Sequence, residues 1–353
     1  MTASSQRVAI VGAGAVGSWI GGNLAQAGFD VTLIDAWPEH VTAMQSAGLT
    51  LTEPHSTRRV PVKALHIGQV QSLYRTPIDI AFICVKLYDT DWATTLIASY
   101  LARSGYVVTL QNGLIEERIA SIVGWGRTVG CIGGGLSLAM IGPGHVDRAR
   151  QSRASGHAVF HVGEVHGGIT PRVRSVAAML EHVDGAQPIT NLWGIRWTKL
   201  VANCMTSALC GVSGLPMREL FADPAGQKIM TQLAGEAIAT GTALGFLIDD
   251  VFGLAPGQWV AAAAGDAAAR AQASAALQNQ TQGLLATASS GMAQDIGKKR
   301  RTEVDYMNGY VAARALEAGT QAPTHAAMAM LVKNIEAGVA TPGRQAMNCL
   351  PDA

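Results

Sequence analysis

The sequence predicts an α/β domain built on a doubly wound parallel sheet, followed by an all-helical domain. Three observations carry this. A short apolar run at residues 8–11 closes on glycines and opens into a helix-like stretch. Near-continuous apolar runs then alternate with helical spacing to about residue 188, as expected of strands buried on both faces. Beyond residue 189 strand signals almost vanish and Ala-rich helical windows take over. The expected domains are 1–188 and 189–353, with a soft boundary at residues 187–191. A chain of 353 residues suits two domains.

The elements follow in order. After the run 8–11, a helix extends to about Ala27 and stops at Gly28, and residues 31–34 form the next strand. Strand, glycine turn, helix, glycine stop and strand make one βαβ unit. Further strands are expected at 78–85, 106–110, 128–132 and 157–162, with a helix over 89–104. In the second half, helices are expected over 192–209, 225–244, 259–277 and 295–318.

Composition excludes several classes. Hydrophobic residues make up 48% and charged residues 14% of the chain, which rules out a disordered protein. The 26 basic and 25 acidic residues leave no electrostatic footprint for nucleic acid. Cys84, Cys131, Cys204, Cys210 and Cys349 show no Cys-x-x-Cys spacing, and most lie in apolar runs. Reduced thiols of a cytosolic protein account for them. No apolar run approaches the ~18 residues of a membrane span, and no signal peptide is visible. A soluble, cytoplasmic protein without a membrane partner is expected.

Gly12-Ala13-Gly14-Ala15-Val16-Gly17 fits Gly-x-Gly-x-x-Gly directly after a strand and at the mouth of a helix. Gly12 permits the turn, Gly14 admits a pyrophosphate close to the backbone, and Gly17 lets helix and sheet approach. Free N–H groups at the helix N-terminus favour the phosphates. Asp35 ends the next strand, near the ~20-residue distance at which such folds place a ribose-binding carboxylate. It would repel a 2′-phosphate, and no arginine follows it; the sequence therefore favours NAD, with NADP as the alternative. A turn-capping role for Asp35 is the plain competing account. FAD is disfavoured, since no second flavin-type signature follows.

Other candidates stand at strand ends and on helices. Lys86 ends the run 80–85, and Asn112 follows 107–111, so both would face the crevice at the carboxyl edge of the sheet. Each would equally serve as an ordinary strand end or turn. Lys199 and Asn203 are four apart in an apolar helical segment and share a face. An ammonium and an amide projecting together suit a carbonyl or an anion, although a lysine snorkelling at the helix edge would look the same. Glu303 lies in Arg-Thr-Glu-Val-Asp-Tyr-Met-Asn-Gly, read as helical, and borders the apolar face of Val304, Met307 and Val311. It could instead pair with Lys299 or Arg300. His157, His161 and His166 would not form tetrahedral zinc geometry from a strand. The run Lys298–Arg301 reads as a solvated face.

Together these motifs resemble the ketopantoate reductase (2-dehydropantoate 2-reductase) family. They occur in its order: the glycine motif, Lys86 in Cys-Val-Lys-Leu, Asn112 in Gln-Asn-Gly, Lys199 in Trp-Thr-Lys-Leu-x-x-Asn, and Glu303 in its nine-residue motif. The resemblance spans nearly the whole chain. It implies an N-terminal Rossmann domain, a helical C-terminal domain, and reduction of a 2-oxo acid to a 2-hydroxy acid, usually with NADPH. By resemblance Lys199 and Glu303 are catalytic. Asn112, Asn203, Ser207, Ser290 and Gly291 fall at substrate positions, and Gly12–Gly17, Asp35, Lys86 and Asn112 at coenzyme positions. A homodimer is compatible with it.

The chain departs from the family in three places. Ser207 replaces a second asparagine on the lysine helix, Gly291 interrupts a Ser-Ser-Met run at the substrate-binding serine, and Asp35 replaces a basic residue. The expected substrate pair is thus a 2-oxo acid and its 2-hydroxy acid, 2-dehydropantoate (ketopantoate) or a related acid. The alternatives are an NAD-dependent dehydrogenase of a different hydroxy acid and a non-catalytic dinucleotide sensor on the same fold.

Overall fold

The computed structural model describes residues 6–152 and 158–351. The chain divides into two compact units, residues 1–192 and 193–353.

The first unit begins with β1 (Arg7–Val11), α1 (Ala15–Gln26), β2 (Asp30–Asp35) and α2 (Pro38–Ala47). Next come β3 (Leu49–Glu53), β4 (Ser56–Val60), β5 (Lys63–His66) and β6 (Ile78–Ile83). They are followed by α3 (Thr90–Ala98), β7 (Leu101–Thr109), α4 (Glu116–Val123) and β8 (Thr128–Gly133). The unit closes with β9 (Leu138–Gly142), β10 (His145–Arg148), β11 (Phe160–Glu164), α5 (Pro171–Leu180) and β12 (Ala186–Ile189).

Eight strands form the main sheet in the order β12-β11-β8-β7-β6-β1-β2-β5. β1 lies between β2 and β6 and is parallel to both. β11 runs antiparallel to β8, so the sheet is mostly parallel. Residues 8–11 and 80–83 are fully buried, which explains their unbroken apolar runs. The chain leaves β1 toward β2 and β5, then returns to β6 on the other side. That reversal opens a crevice at the carboxyl ends of β1 and β6.

The second sheet, β4-β3-β10-β9, is absent from the sequence reading. Its strands are short and its outer strand β4 is mostly exposed. β3 pairs in parallel with β10, Leu51 opposite Val146, so no local pattern announces it. Other boundaries also shift. β7 starts at Leu101, inside the helix expected over 89–104. Residue 157, the start of an expected strand, lies outside the described residues. Cys84 is half-buried, Cys131, Cys204 and Cys210 are buried, and Cys349 is exposed; all five are free thiols.

The second unit is helical: α6 (Leu192–Ser213), α7 (Met217–Ala222), α8 (Pro224–Ala243) and α9 (Pro256–Ala263). Then follow α10 (Ala267–Asn279), α11 (Gly291–Gly297), α12 (Asn308–Glu317) and α13 (Pro323–Glu336). α6 buries Trp197, Leu200, Val201, Cys204, Met205, Ala208 and Leu209, the stripe expected of a core helix. Trp197 Nε1 donates to the Ala237 carbonyl of α8 at 2.8 Å. No helix among the described residues is long and apolar enough to cross a membrane.

Two expected helices are not continuous. The window 259–277 is split between α9 and α10 by Gly265, at φ +105°, and Asp266 caps α10 through the Ala269 N–H at 2.7 Å. The window 295–318 breaks after α11, where Lys299 takes φ +53°. There the Thr302 hydroxyl accepts the Val304 N–H at 3.3 Å, turning the backbone away from the helix. Glu303 therefore precedes a short 3₁₀ turn (Val304–Tyr306) instead of lying within an α-helix.

Candidate active site

In the first unit, the candidate coenzyme residues emerge together at the carboxyl edge of the sheet. The glycine loop follows β1, Asp35 ends β2, Lys86 lies beyond β6, and Asn112 lies beyond β7. Gly12 has φ +93°, and a Cβ there would lie 2.7 Å from the backbone nitrogen of Val85. At Gly17 a Cβ would lie 2.0 Å from the Gly12 carbonyl oxygen. Both positions therefore exclude a side chain. Gly14 differs: a Cβ would meet nothing within 4 Å. It caps α1 without a side-chain hydrogen bond, leaving open space over the helix N-terminus, above Ala15 and Val16. Glycines that are tight at the base and open at the rim suit a dinucleotide pyrophosphate.

Asp35 is half-buried, and its Oδ1 accepts the Trp37 N–H at 2.9 Å. It therefore caps its turn, while its second oxygen takes no hydrogen bond from the described residues. Lys86 is half-buried and heads a 3₁₀ turn, Leu87–Asp89. Gln111 Nε2 donates to the Val85 carbonyl at 2.8 Å and to the Thr90 hydroxyl at 2.9 Å. This bond pair ties the exits of β6 and β7 together. Asn112 is exposed beside Gly113, whose φ is +73°.

In the second unit, α6 presents Lys199, Asn203 and Ser207 at successive turns, all half-buried. The Lys199 ammonium has no hydrogen-bond or ion-pair partner among the described residues. Burial pushes its pKa below the ordinary lysine value. Asn203 Nδ2 is buried and equally unpartnered. A buried orphan donor such as Asn203 Nδ2 is costly unless a ligand satisfies it, and the Lys199 ammonium stands one turn away.

Ser290 and Gly291 lie at the far end of this row. Ser290 Oγ donates to the Ser207 carbonyl at 2.9 Å and accepts the Ala293 N–H at 3.0 Å, capping α11. Its hydroxyl proton is thus already engaged. Gly291 begins α11 in the open, where a Cβ would meet nothing within 4 Å.

Glu303 is half-buried, and its segment is anchored on both sides. Thr302 N–H donates to the Glu336 carboxylate at 2.5 Å. Asn308, fully buried at the start of α12, donates to the Cys204 carbonyl of α6 at 3.3 Å. His325 Nδ1 lies 3.3 Å from the same amide nitrogen, and its Nε2 lies 2.9 Å from the Leu233 carbonyl. The Leu233 carbonyl requires a proton on Nε2, which leaves Nδ1 to accept from Asn308. Neither the motif around Asn308 nor the sequence around His325 signals this link.

His161 lies in β11 and His166 in the turn after it, whereas His157 is outside the described residues. Among the described residues, no group of three or more His, Cys, Asp or Glu side chains could hold a metal.

Comparison with known proteins places this geometry. Residues 8–164 match the family model "Ketopantoate reductase PanE/ApbA", and residues 191–336 match its C-terminal counterpart. A 2-dehydropantoate 2-reductase of Archaeoglobus fulgidus is 26% identical over 339 residues, covering 95% of this chain and 99% of the relative. One of Halobacterium salinarum is 28% identical, covering 93% and 98%. The crystal structure of a PanE/ApbA family ketopantoate reductase from Ralstonia eutropha JMP134 superposes with a TM-score of 0.77 at 27% identity, covering 94% and 99%. A ternary structure of D-mandelate dehydrogenase with NADH and anilino(oxo)acetate shares the fold, with a TM-score of 0.80 at 21% identity, covering 95% and 99%. With both of its domains matched, the chain belongs to the ketopantoate reductase family of nicotinamide-dependent oxidoreductases.

Proposed function

We propose that the protein interconverts a 2-oxo acid and its 2-hydroxy acid, with NAD(H) preferred over NADP(H). The observation that carries this reading is the pair of unpartnered donors on one face of α6, the half-buried Lys199 ammonium and the buried Asn203 Nδ2. Residues 1–188 would hold the coenzyme and residues 189–353 the catalytic groups. A non-catalytic sensor has no need of an unpaired, half-buried ammonium.

When bound, the reduced nicotinamide supplies a hydride to C2 of the oxo acid. The developing charge on the C2 oxygen is met by the Lys199 ammonium, which then transfers one Nζ proton to that oxygen and is left as a neutral amine. Water reprotonates the amine. Its lowered pKa brings the ammonium closer to the strength of acid that neutral-pH catalysis requires. Asn203 Nδ2 donates a second hydrogen bond to the substrate, and Glu303 orients the lysine or a substrate hydroxyl. Asn112 belongs with the nicotinamide end. Run in reverse, the same groups oxidise a 2-hydroxy acid.

The preference for NAD(H) rests on Asp35, whose open oxygen suits a ribose diol and opposes a 2′-phosphate. The substrate is a relative of ketopantoate with a different side group. The Ser290 hydroxyl is spent on the Ser207 carbonyl, and Gly291 leaves room beside it. The solved D-mandelate dehydrogenase, bound to NADH, is consistent with both inferences. Initial rates with a panel of 2-oxo and 2-hydroxy acids, each assayed with NAD(H) and NADP(H), test the proposal. Absence of turnover across the panel would refute it.

A further inference from the structure

His40 of α2 lies beneath the glycine loop, fully buried. Its Nδ1 accepts the N–H of Gly144, in the β9–β10 turn, at 2.8 Å. A backbone N–H can only donate, so Nδ1 carries no proton and the ring hydrogen is on Nε2. Nε2 lies 2.8 Å from the Ala13 carbonyl oxygen and donates to it. Ser18 Oγ donates to the same oxygen at 2.5 Å and lies 3.2 Å from Nε2. The Ala13 carbonyl is therefore held inward by two donors from different helices. Trp37 stacks on the ring at 5.4 Å and fixes its plane.

A trans peptide is planar, with its C=O and N–H pointing in opposite directions. Fixing the Ala13 oxygen inward therefore turns the Gly14 N–H outward. That N–H has no acceptor among the described residues. It faces the side where Gly14 is exposed and a Cβ would meet nothing within 4 Å. An anion there gains a preoriented donor only while the peptide is held in this orientation.

We propose that His40, together with Ser18, is a positioning residue for the coenzyme, locking the Ala13–Gly14 peptide so that the Gly14 N–H faces the pyrophosphate. The neutral ring is a condition of this role, and burial holds its pKa below the ordinary histidine value. The inference rests on the reading of Gly12–Gly17 as the coenzyme loop.

The test is direct titration of the full chain with NADH and, separately, NADPH, for wild type and the variants His40→Asn, His40→Gln and Ser18→Ala. Glutamine can place an amide N–H near the Nε2 position and keep the bond to Ala13; asparagine is too short. His40→Asn and Ser18→Ala should each raise Kd for the better-bound coenzyme about three- to tenfold, the equivalent of one net hydrogen bond. His40→Gln should stay within about twofold of wild type. Coenzyme KM should follow Kd, while kcat at saturation changes less. Equal weakening by His40→Gln and His40→Asn would reduce His40 to core packing and overturn the proposal. Unchanged Kd in Ser18→Ala, a small change that should preserve the fold, would also overturn it even if His40→Asn does not fold. Wild type binding neither dinucleotide would instead refute the reading of the loop.

Discussion

Lys199 and Asn203 stand one turn apart on α6, and neither the ammonium nor the buried amide nitrogen has a partner among the described residues. A helix that is otherwise a core element carries two unsatisfied donors in one row. Core stability alone disfavours this arrangement, so the cost is balanced where a substrate accepts from both.

Replacing Lys199 with alanine should lower kcat on the order of 10²–10³-fold by removing the charge that stabilises the oxyanion. Dinucleotide affinity should stay near wild type, because the proposed role lies at the carbonyl. Steady-state kinetics together with NADH titration check this. Near-normal kcat in the folded variant would remove Lys199 from the chemistry.

NADH should be preferred over NADPH by at least about tenfold in kcat/KM, through like-charge repulsion at Asp35. Asp35→Asn keeps an acceptor for the Trp37 N–H while removing the charge, so it should narrow the ratio mainly through KM for NADPH. A wild-type enzyme that favours NADPH contradicts the assignment.

The best substrate should be an acid other than ketopantoate or pantoate. A site built around a substrate hydroxyl can reject analogues that lack it by ~10⁴-fold, and here the Ser290 proton is already committed. Gly291→Ser has room to fold and should narrow the range of accepted side groups. The highest kcat/KM with ketopantoate would show that these departures are neutral.

Stability should fall as the pH drops below about 6.5. Burial lowers the pKa of His325 from 6.5 to about 4, so the unfolded chain takes up this proton first. The contribution is fully present above pH 6.5 and is lost on descent toward pH 4, about 3 kcal/mol in all. His40 acts in the same direction. Glu236, whose carboxyl is pushed up by burial, acts oppositely as its own raised pKa is passed. Denaturant unfolding across pH 4.5–7.5 should show a shallower slope for His325→Gln than for wild type; equal slopes would exclude His325 as the source.

Local signals carried most of what was legible in the sequence. The glycine loop reads directly because strand, turn and helix are contiguous, and Lys199 and Asn203 read together because four residues make a helical turn. The motif around Glu303 reads as helical from its spacing, whereas the Thr302 hydroxyl diverts the backbone there and leaves no periodic trace. The role of Ser290 as a cap depends on the carbonyl of Ser207, 83 residues away. The pairing of β3 with β10 is equally non-local, so the second sheet stayed hidden.

That second sheet has a consequence for the order of events during synthesis. The Gly144 N–H that fixes the tautomer of His40 comes from 104 residues further along the chain. A nascent chain that has completed β1, α1, β2 and α2 already contains the whole glycine loop, yet Nδ1 of His40 still lacks its donor. Contacts of such long sequence separation close late and slowly. By this reading the last roughly three- to tenfold of dinucleotide affinity is acquired only after the ribosome has passed the β9–β10 turn, and a fragment ending before Gly144 keeps the motif without this bond.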